Sequence, residues 1–364
     1  MFRQKTTIVV GAGASCEIGL PSGEELKDRI VALLATTNEN AYGLKSDTMI
    51  NAVKWRLGQA DTFYASGIAP AGPEAGQIKE AAKRIGRGLP LALSIDNFLH
   101  SHQDDPEVVR LGKTAIAMSI LDAESRSALF ENSPPAHAAR LPQERRPRYA
   151  TLTGKRLSAS WYAPFAQLLM SQVQKANAGD ALSNLRFVVF NYDRCLECYL
   201  SMALQSYFDI TISEAAELLA PVEFLHPYGS LGPLPWQDPA TGTSVPLGGG
   251  DGSDVWAIGS RIRTFTESVA SEVEPKIKLA IESAETIILL GFGYLDQNVQ
   301  LLTPGPGRTA GRVMSTAYGV SNEDQLIVRE CMEAFGRSTI PQIMVEPGSC
   351  REFFDRFRLQ LSLR

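Results

Sequence analysis

"VVGAGASCEIGLPSGEEL", residues 9–26, runs from an apolar strand end into a row of small residues, then a proline and a helix start. Gly11, Ala12 and Gly13 carry little or no side chain, so the backbone can turn tightly there and come close to a ligand. The N–H groups at the start of a helix that follows such a turn attract phosphate. Ser22 and Glu25 then form an S-x-x-E capping box, and Leu26, Ile30, Leu33 and Leu34 repeat at helical spacing behind it. The dehydrogenase fingerprint G-x-G-x-x-G would need glycine at position 16, where this chain has Cys16. A purely structural turn would use the same two glycines.

Outward from that stretch, short β-forming runs recur at "TTIVV" (6–10), "RFVVF" (186–190), "VEFL" (222–225), "ETIILL" (285–290) and "QIMVE" (342–346). Runs that are apolar on both faces suit the covered strands of a parallel sheet. Ser349 and Glu352 repeat the capping box ahead of "FFDRFRLQL", and Ser321 opens "NEDQLIVRECMEAF". Strand, turn and capped helix in repetition predict an α/β fold with a doubly wound, Rossmann-like parallel sheet. Between about 27 and 180 no comparable strand stands out, whereas 107–130 and 160–176 carry helical periodicity. The division expected is a Rossmann domain from 1–26 and 181–364 with a mainly helical insertion at 27–180. Residues 132–157, rich in Pro and Arg, and the glycine-rich 237–253 read as loops.

Net charge is −5 over 364 residues, without the basic bias of a dedicated nucleic-acid binder, so no direct nucleic-acid partner is expected. Five scattered cysteines do not form a disulfide framework and suit a reducing cytoplasm. No run approaches the roughly 18 apolar residues of a membrane span, and "MFRQKTTIVV" does not read as a signal peptide. Cys195 and Cys198 stand alone as a C-x-x-C pair inside a helical pattern, so no metal site is expected.

The first stretch resembles, at matching spacing, the cofactor loop of the sirtuins, G-A-G-x-S-x-x-x-G-I-P, with Gly11, Gly13, Ser15, Gly19 and Pro21 in register. "FNYD" (190–193), "LHPYGS" (225–230) and "GFGYLDQN" (291–298) follow in sirtuin order. The absent zinc cysteines and the helical middle are similar to the zinc-free, sirtuin-like NAD hydrolases of bacterial anti-phage defence. That resemblance implies an NAD glycohydrolase that releases nicotinamide and ADP-ribose and depletes NAD. It further implies, as a controlling partner, a HerA-like hexameric ATPase. Apart from the resemblance, the helical middle and apolar helices such as "SWYAPFAQLLM" (160–170) offer surface for self-association, so a homo-oligomer is expected. A deacylase or transferase using NAD, or a scaffold that senses NAD or ADP-ribose without cleaving it, are the competing readings.

The resemblance makes Asn191 and His226 the catalytic candidates, an amide oxygen for developing positive charge and an imidazole for a proton. Gly11, Ala12, Gly13, Ser15, Pro21, Asp193, Gly291, Gly293, Asp296 and Asn298 become the NAD-binding candidates. Each has a bland alternative: Asn191 and Asp193 as helix caps, His226 as a buried structural histidine, Gly291 and Gly293 as a plain strand-to-helix turn. The residue directly before Gly229 is Tyr228, where the family pattern has histidine. "SIDNFLH" (94–100) places Asp96 and Asn97 within reach of a pocket, with Asp96 equally readable as a helix N-cap, and "STAYGVS" (315–321) offers a further contact.

Overall fold

The computed structural model describes residues 2–40, 42–58, 73–130, 151–152, 154–238, 242–249, 254–269, 272–305, 310–336 and 341–363. Arg140, Arg145, Arg146 and Arg148 of the Arg-rich stretch lie outside them. Six strands form one sheet: β1 Thr6–Val10, β2 Leu185–Val189, β3 Phe224–Leu225, β4 Thr286–Leu290, β5 Arg312–Thr316 and β6 Gln342–Glu346. All five pairings are parallel, in the order β3-β2-β1-β4-β5-β6. In register, Thr6 faces Leu185 on one side and Thr286 on the other, and Val10 faces Val189 and Leu290. The order reverses direction at β1, so the crevice of the fold opens where β1 and β4 end.

The helices, in chain order, begin with α1 Ala12–Cys16, α2 Gly23–Leu33, α3 Asp47–Arg56, α4 Pro73–Gly88, α5 Ile95–Ser101, α6 Pro106–Ser125, α7 Lys155–Ala159 and α8 Tyr162–Met170. After β2 come α9 Cys195–Phe208 and α10 Ile212–Leu219, then α11 Val255–Gly259, α12 Phe265–Val269, α13 Val273–Glu282, α14 Asp296–Leu302, α15 Asp324–Phe335 and α16 Cys350–Leu363. Both halves of the Ser22–Glu25 capping box are formed at the start of α2, and Ser349 and Glu352 exchange bonds in the same way before α16. β5 escapes a search for apolar runs because Arg312 opens it and Ser315 and Thr316 close it. All five of its residues are nevertheless buried, with the Arg312 guanidinium bonded to Thr286 Oγ1 and to Gln4.

Side chains alternate across the sheet, as strand pleating requires. Val9, Val188 and Leu289 join one core with Ile30 of α2, Ile78 and Ile85 of α4 and Leu111 and Ile116 of α6. Ile8, Val10, Phe187 and Ile288 join the other with Trp161, Phe165 of α8, Leu200 of α9 and Phe353 and Phe354 of α16. The helical segment 27–180 therefore contributes to both cores. Residues 242–249 of the glycine-rich stretch form neither helix nor strand, as expected of a loop, yet Val245 is buried in the first core and its carbonyl is bonded to Arg194.

Candidate active site at the carboxyl end of the sheet

The first loop and the loop after β4 cross in close contact. Gly11 N–H donates to the Leu290 carbonyl at 2.9 Å and Gly13 N–H to the Gly291 carbonyl at 3.1 Å. A Cβ on Gly11 would stand 2.4 Å from the Gly291 oxygen. Gly291 has φ +55°, and a Cβ there would stand 2.0 Å from the Ala14 nitrogen. Part of the glycine requirement is thus loop against loop, which explains the missing side chains without any ligand.

Around this crossing lies a crevice in two parts that share Gly13, Gly291, Phe292 and Gly293. The inner part, about 330 Å³, is walled by Gly11, Ala12, Ser15, Pro21, Asp96, Phe190, Asn191, Tyr192, Asp193, Tyr228 and Asn298 among others. The outer part, about 870 Å³, is walled by Glu17, Tyr294, Asp296, Tyr318, Ile327 and Val328 among others. Of the residues proposed from sequence, every glycine, Ala12, Ser15, Pro21, Asn191, Asp193, Asp296 and Asn298 borders one part or the other. The segment 315–321 also reaches the outer part, through Thr316 to Val320.

Asn191 follows Phe190 at the end of β2. Its Nδ2 donates to the Gly11 carbonyl at 3.0 Å and to Ser15 Oγ at 2.7 Å, which fixes the orientation of the amide because the Gly11 oxygen can only accept. Its Oδ1 is buried and has no hydrogen-bond partner among the described residues. Ser15 Oγ passes the chain on to Asp193 Oδ2 at 3.0 Å, and Asp193 Oδ1 accepts from Cys195 N–H at 3.0 Å. Burial, with Glu124 nearby, pushes the Asp193 carboxyl up to about 6. The N-cap of α9 is Arg194, without a side-chain cap bond, so Asp193 is not the N-cap that its residue type suggested; its carboxylate instead joins Ser15 Oγ to the Cys195 N–H and ties the Asn191 loop to the start of α9.

His226 stands behind this wall. Its Nδ1 lies 3.1 Å from the Asn191 carbonyl and its Nε2 2.7 Å from Glu197 Oε1, and it is not among the residues lining either part of the crevice. The charged ring, which donates from both nitrogens, satisfies both partners, and neither nitrogen is left facing the crevice. Burial pulls the His226 pKa down, but the bond and charge of Glu197, helped by the Asn191 carbonyl, leave it raised. Tyr228 reaches the inner crevice instead. Its hydroxyl donates to Asn298 Oδ1 at 2.6 Å and accepts from Gln297 Nε2 at 3.1 Å. Burial raises its pKa far above the ordinary tyrosine range, so it remains a neutral phenol.

Asp96 reaches the inner crevice from the helical segment. The N-cap of α5 is Ser94, whose hydroxyl accepts from Asn97 N–H at 3.0 Å, so Asp96 is not the cap that its residue type suggested. Its Oδ1 accepts from the Tyr192 hydroxyl. Sequence reasoning passed over Tyr192, because an aromatic between Asn191 and Asp193 reads as packing until its hydroxyl is seen to meet a carboxylate.

Cys195 is buried in the second core, and Cys198 packs against Met202 with sulfurs 3.8 Å apart. Burial drives both thiols upward, Cys198 to about 12, away from the thiolate form that a metal would require. Among the described residues no cluster of three or more His, Cys, Asp or Glu side chains is arranged to hold a metal ion, and no helix is long and apolar enough to cross a membrane. No family model matches the chain, and no curated protein is significantly similar to it.

Proposed function

We propose that this protein is an NAD glycohydrolase of the zinc-free, sirtuin-like kind, cleaving NAD to nicotinamide and ADP-ribose. The observation that carries the reading is the Asn191 amide. It sits at the carboxyl end of the sheet with its nitrogen pinned by Gly11 and Ser15 and its buried oxygen unpaired. An unpaired buried acceptor costs roughly 1–3 kcal/mol unless a ligand meets it. Cleavage of a glycosidic bond builds positive charge on the ribose, and a fixed amide oxygen stabilises that charge with no reorganisation.

In this reading Asn191 is the catalytic residue. His226 is a positioning residue, since it holds the Asn191 carbonyl and both of its ring nitrogens are engaged away from the crevice. The inner crevice receives the nicotinamide ribose against Asn191, Pro21 and Tyr228, and the outer one the adenosine. The shared glycines allow the pyrophosphate to cross between them. The role in anti-phage defence and a HerA-like ATPase partner rest on the sequence resemblance, the cytoplasmic location on the scattered cysteines, and the homo-oligomer on the apolar helices of the middle segment.

The test is nicotinamide release from NAD by the purified chain, alone and with its candidate ATPase. Asn191→Ala is expected to cut turnover by roughly 10²-fold or more while leaving cooperative unfolding intact. Tight NAD binding with no release in any state would favour a sensing scaffold instead.

A further inference from the structure

We propose that Asp96, supplied by the helical segment, is a second catalytic residue of the inner crevice, the base that accepts a proton from the water attacking the ribose. The assignment rests on the glycohydrolase reading and names a group which that reading lacks. With His226 saturated by Asn191 and Glu197, the wall needs another acceptor to take that proton.

Among the described residues, three carboxylates border the inner crevice: Glu24, Asp96 and Asp193. Glu24 is exposed at the rim and ion-paired with Lys27 at 2.8 Å. Asp193 has both oxygens engaged, by Ser15 and by the Cys195 N–H. Asp96 is half-buried, with one oxygen held by the Tyr192 hydroxyl, a donor that orients the carboxylate without neutralising it. Its backbone is equally fixed, because the Ser94 cap sets the start of α5 while Ile95, Phe98 and Leu99 are buried in the first core. The titratable side chains facing it are Tyr192 after β2 and Tyr228 after β3, and both stay neutral because burial raises them far above the ordinary phenol range. Burial likewise pushes the Asp96 carboxyl up to about 6, the range in which a base works best near neutral pH.

The balance of the step is simple. The C1′–N bond to nicotinamide breaks and its electron pair leaves with neutral nicotinamide. The oxygen of water bonds to C1′, and its proton passes to the Asp96 carboxylate and then to solvent. NAD and water yield nicotinamide, ADP-ribose and one proton.

The experiment compares wild type, Asp96→Asn, Asp96→Glu and Tyr192→Phe, with Asn191→Ala as reference. It measures kcat and KM for nicotinamide release, NAD affinity by calorimetry, and release in the presence of sodium azide, an anionic nucleophile that needs no base. Asp96→Asn is expected to lower kcat by roughly 10²-fold with NAD affinity nearly unchanged, and azide to restore release. Tyr192→Phe removes a donor that favours the charged carboxylate, so the acidic limb of its kcat profile moves to higher pH. Asp96→Glu, which keeps the charge, retains more activity than Asp96→Asn, and should Asp96→Asn fail to fold, the Glu and Tyr192→Phe variants decide. Wild-type kcat in Asp96→Asn, or a loss that parallels NAD affinity and ignores azide, overturns the Asp96 assignment and leaves the glycohydrolase standing. Wild type that binds NAD and releases nothing overturns both.

Discussion

His226 lies between two acceptors, the Asn191 carbonyl and the Glu197 carboxylate, and its charged form is the one that satisfies both. A histidine whose folded pKa lies above its ordinary 6.5 adds stability that is fully present below 6.5 and lost as pH rises through the folded value. The stability lost in His226→Gln should therefore be largest near pH 6, on the order of 1–3 kcal/mol, and shrink steadily above neutrality. Urea unfolding of both proteins across pH 5.5 to 9 checks this, and a difference that stays flat with pH would remove the charge from the ring. The same residue shows what single positions do and do not reveal. Asn191, Ser15 and Asp193 were readable as a cluster because the first loop and the end of β2 are both short and follow strands that pair in register. The burial of His226 behind them stood in the sequence only as an alternative and could not be decided there, because it depends on Glu197 in the first turn of α9, which carries no signal beyond being an acid in a helix.

At the scale of elements, the loop after β2 that carries Asn191 is joined to the helical segment by a buried ion pair. Glu124, near the end of α6, receives Arg194 Nη2 at 2.6 Å, Arg194 Nε at 3.1 Å, Arg194 backbone N–H at 2.9 Å and Gly248 N–H at 2.8 Å. Arg194 donates onward to the Val245 and Pro246 carbonyls, which ties down the glycine-rich loop. Removing one partner of such a pair strands the other without water, so Glu124→Leu should cost roughly 3–5 kcal/mol and the double change Glu124→Leu with Arg194→Leu clearly less. Denaturant midpoints of the three proteins measure the coupling, and additive losses would mean that the two side chains act separately. Neither residue could be singled out from sequence, since a Glu near the end of a long helix and an Arg after "NYD" are ordinary surface types. β5 was hidden for a related reason, its buried arginine being satisfied by Thr286 and Gln4 from distant parts of the chain. Strands that carry an unbroken aliphatic run, residues 8–10 of β1 and 287–290 of β4 above all, and helices with their own capping boxes declare themselves locally.

For the whole molecule, the helical segment 27–180 reads as an insertion, yet the sheet depends on it on both faces. Trp161 stacks on Phe354 with centroids 5.7 Å apart, and Phe165 packs against Phe2, Phe187 and Phe354. The Trp161 indole N–H donates to the Ala14 carbonyl at 2.9 Å and the Trp161 backbone N–H to Glu17 Oε2 at 2.8 Å, so the first loop is braced by this residue as well. On the opposite face Val9 and Val188 share a core with Leu111, Ile116 and Ile78. Exposing one such aliphatic or aromatic side chain forfeits roughly 1.5–3 kcal/mol, and a domain has only about 5–15 kcal/mol in hand. Uncovering Val9 and Val188 on one face and Phe2, Phe187 and Phe354 on the other would consume that margin. A chain in which residue 26 is joined to residue 181 by a short Gly-Ser linker should therefore show no cooperative thermal transition and should bind a hydrophobic dye. The same segment supplies Asp96 to the crevice and Glu124 to the Asn191 loop, so its loss would also remove two polar supports of the site. Cooperative unfolding of the shortened chain near the wild-type temperature would show that the Rossmann half stands alone and that the helical segment was added to a finished domain.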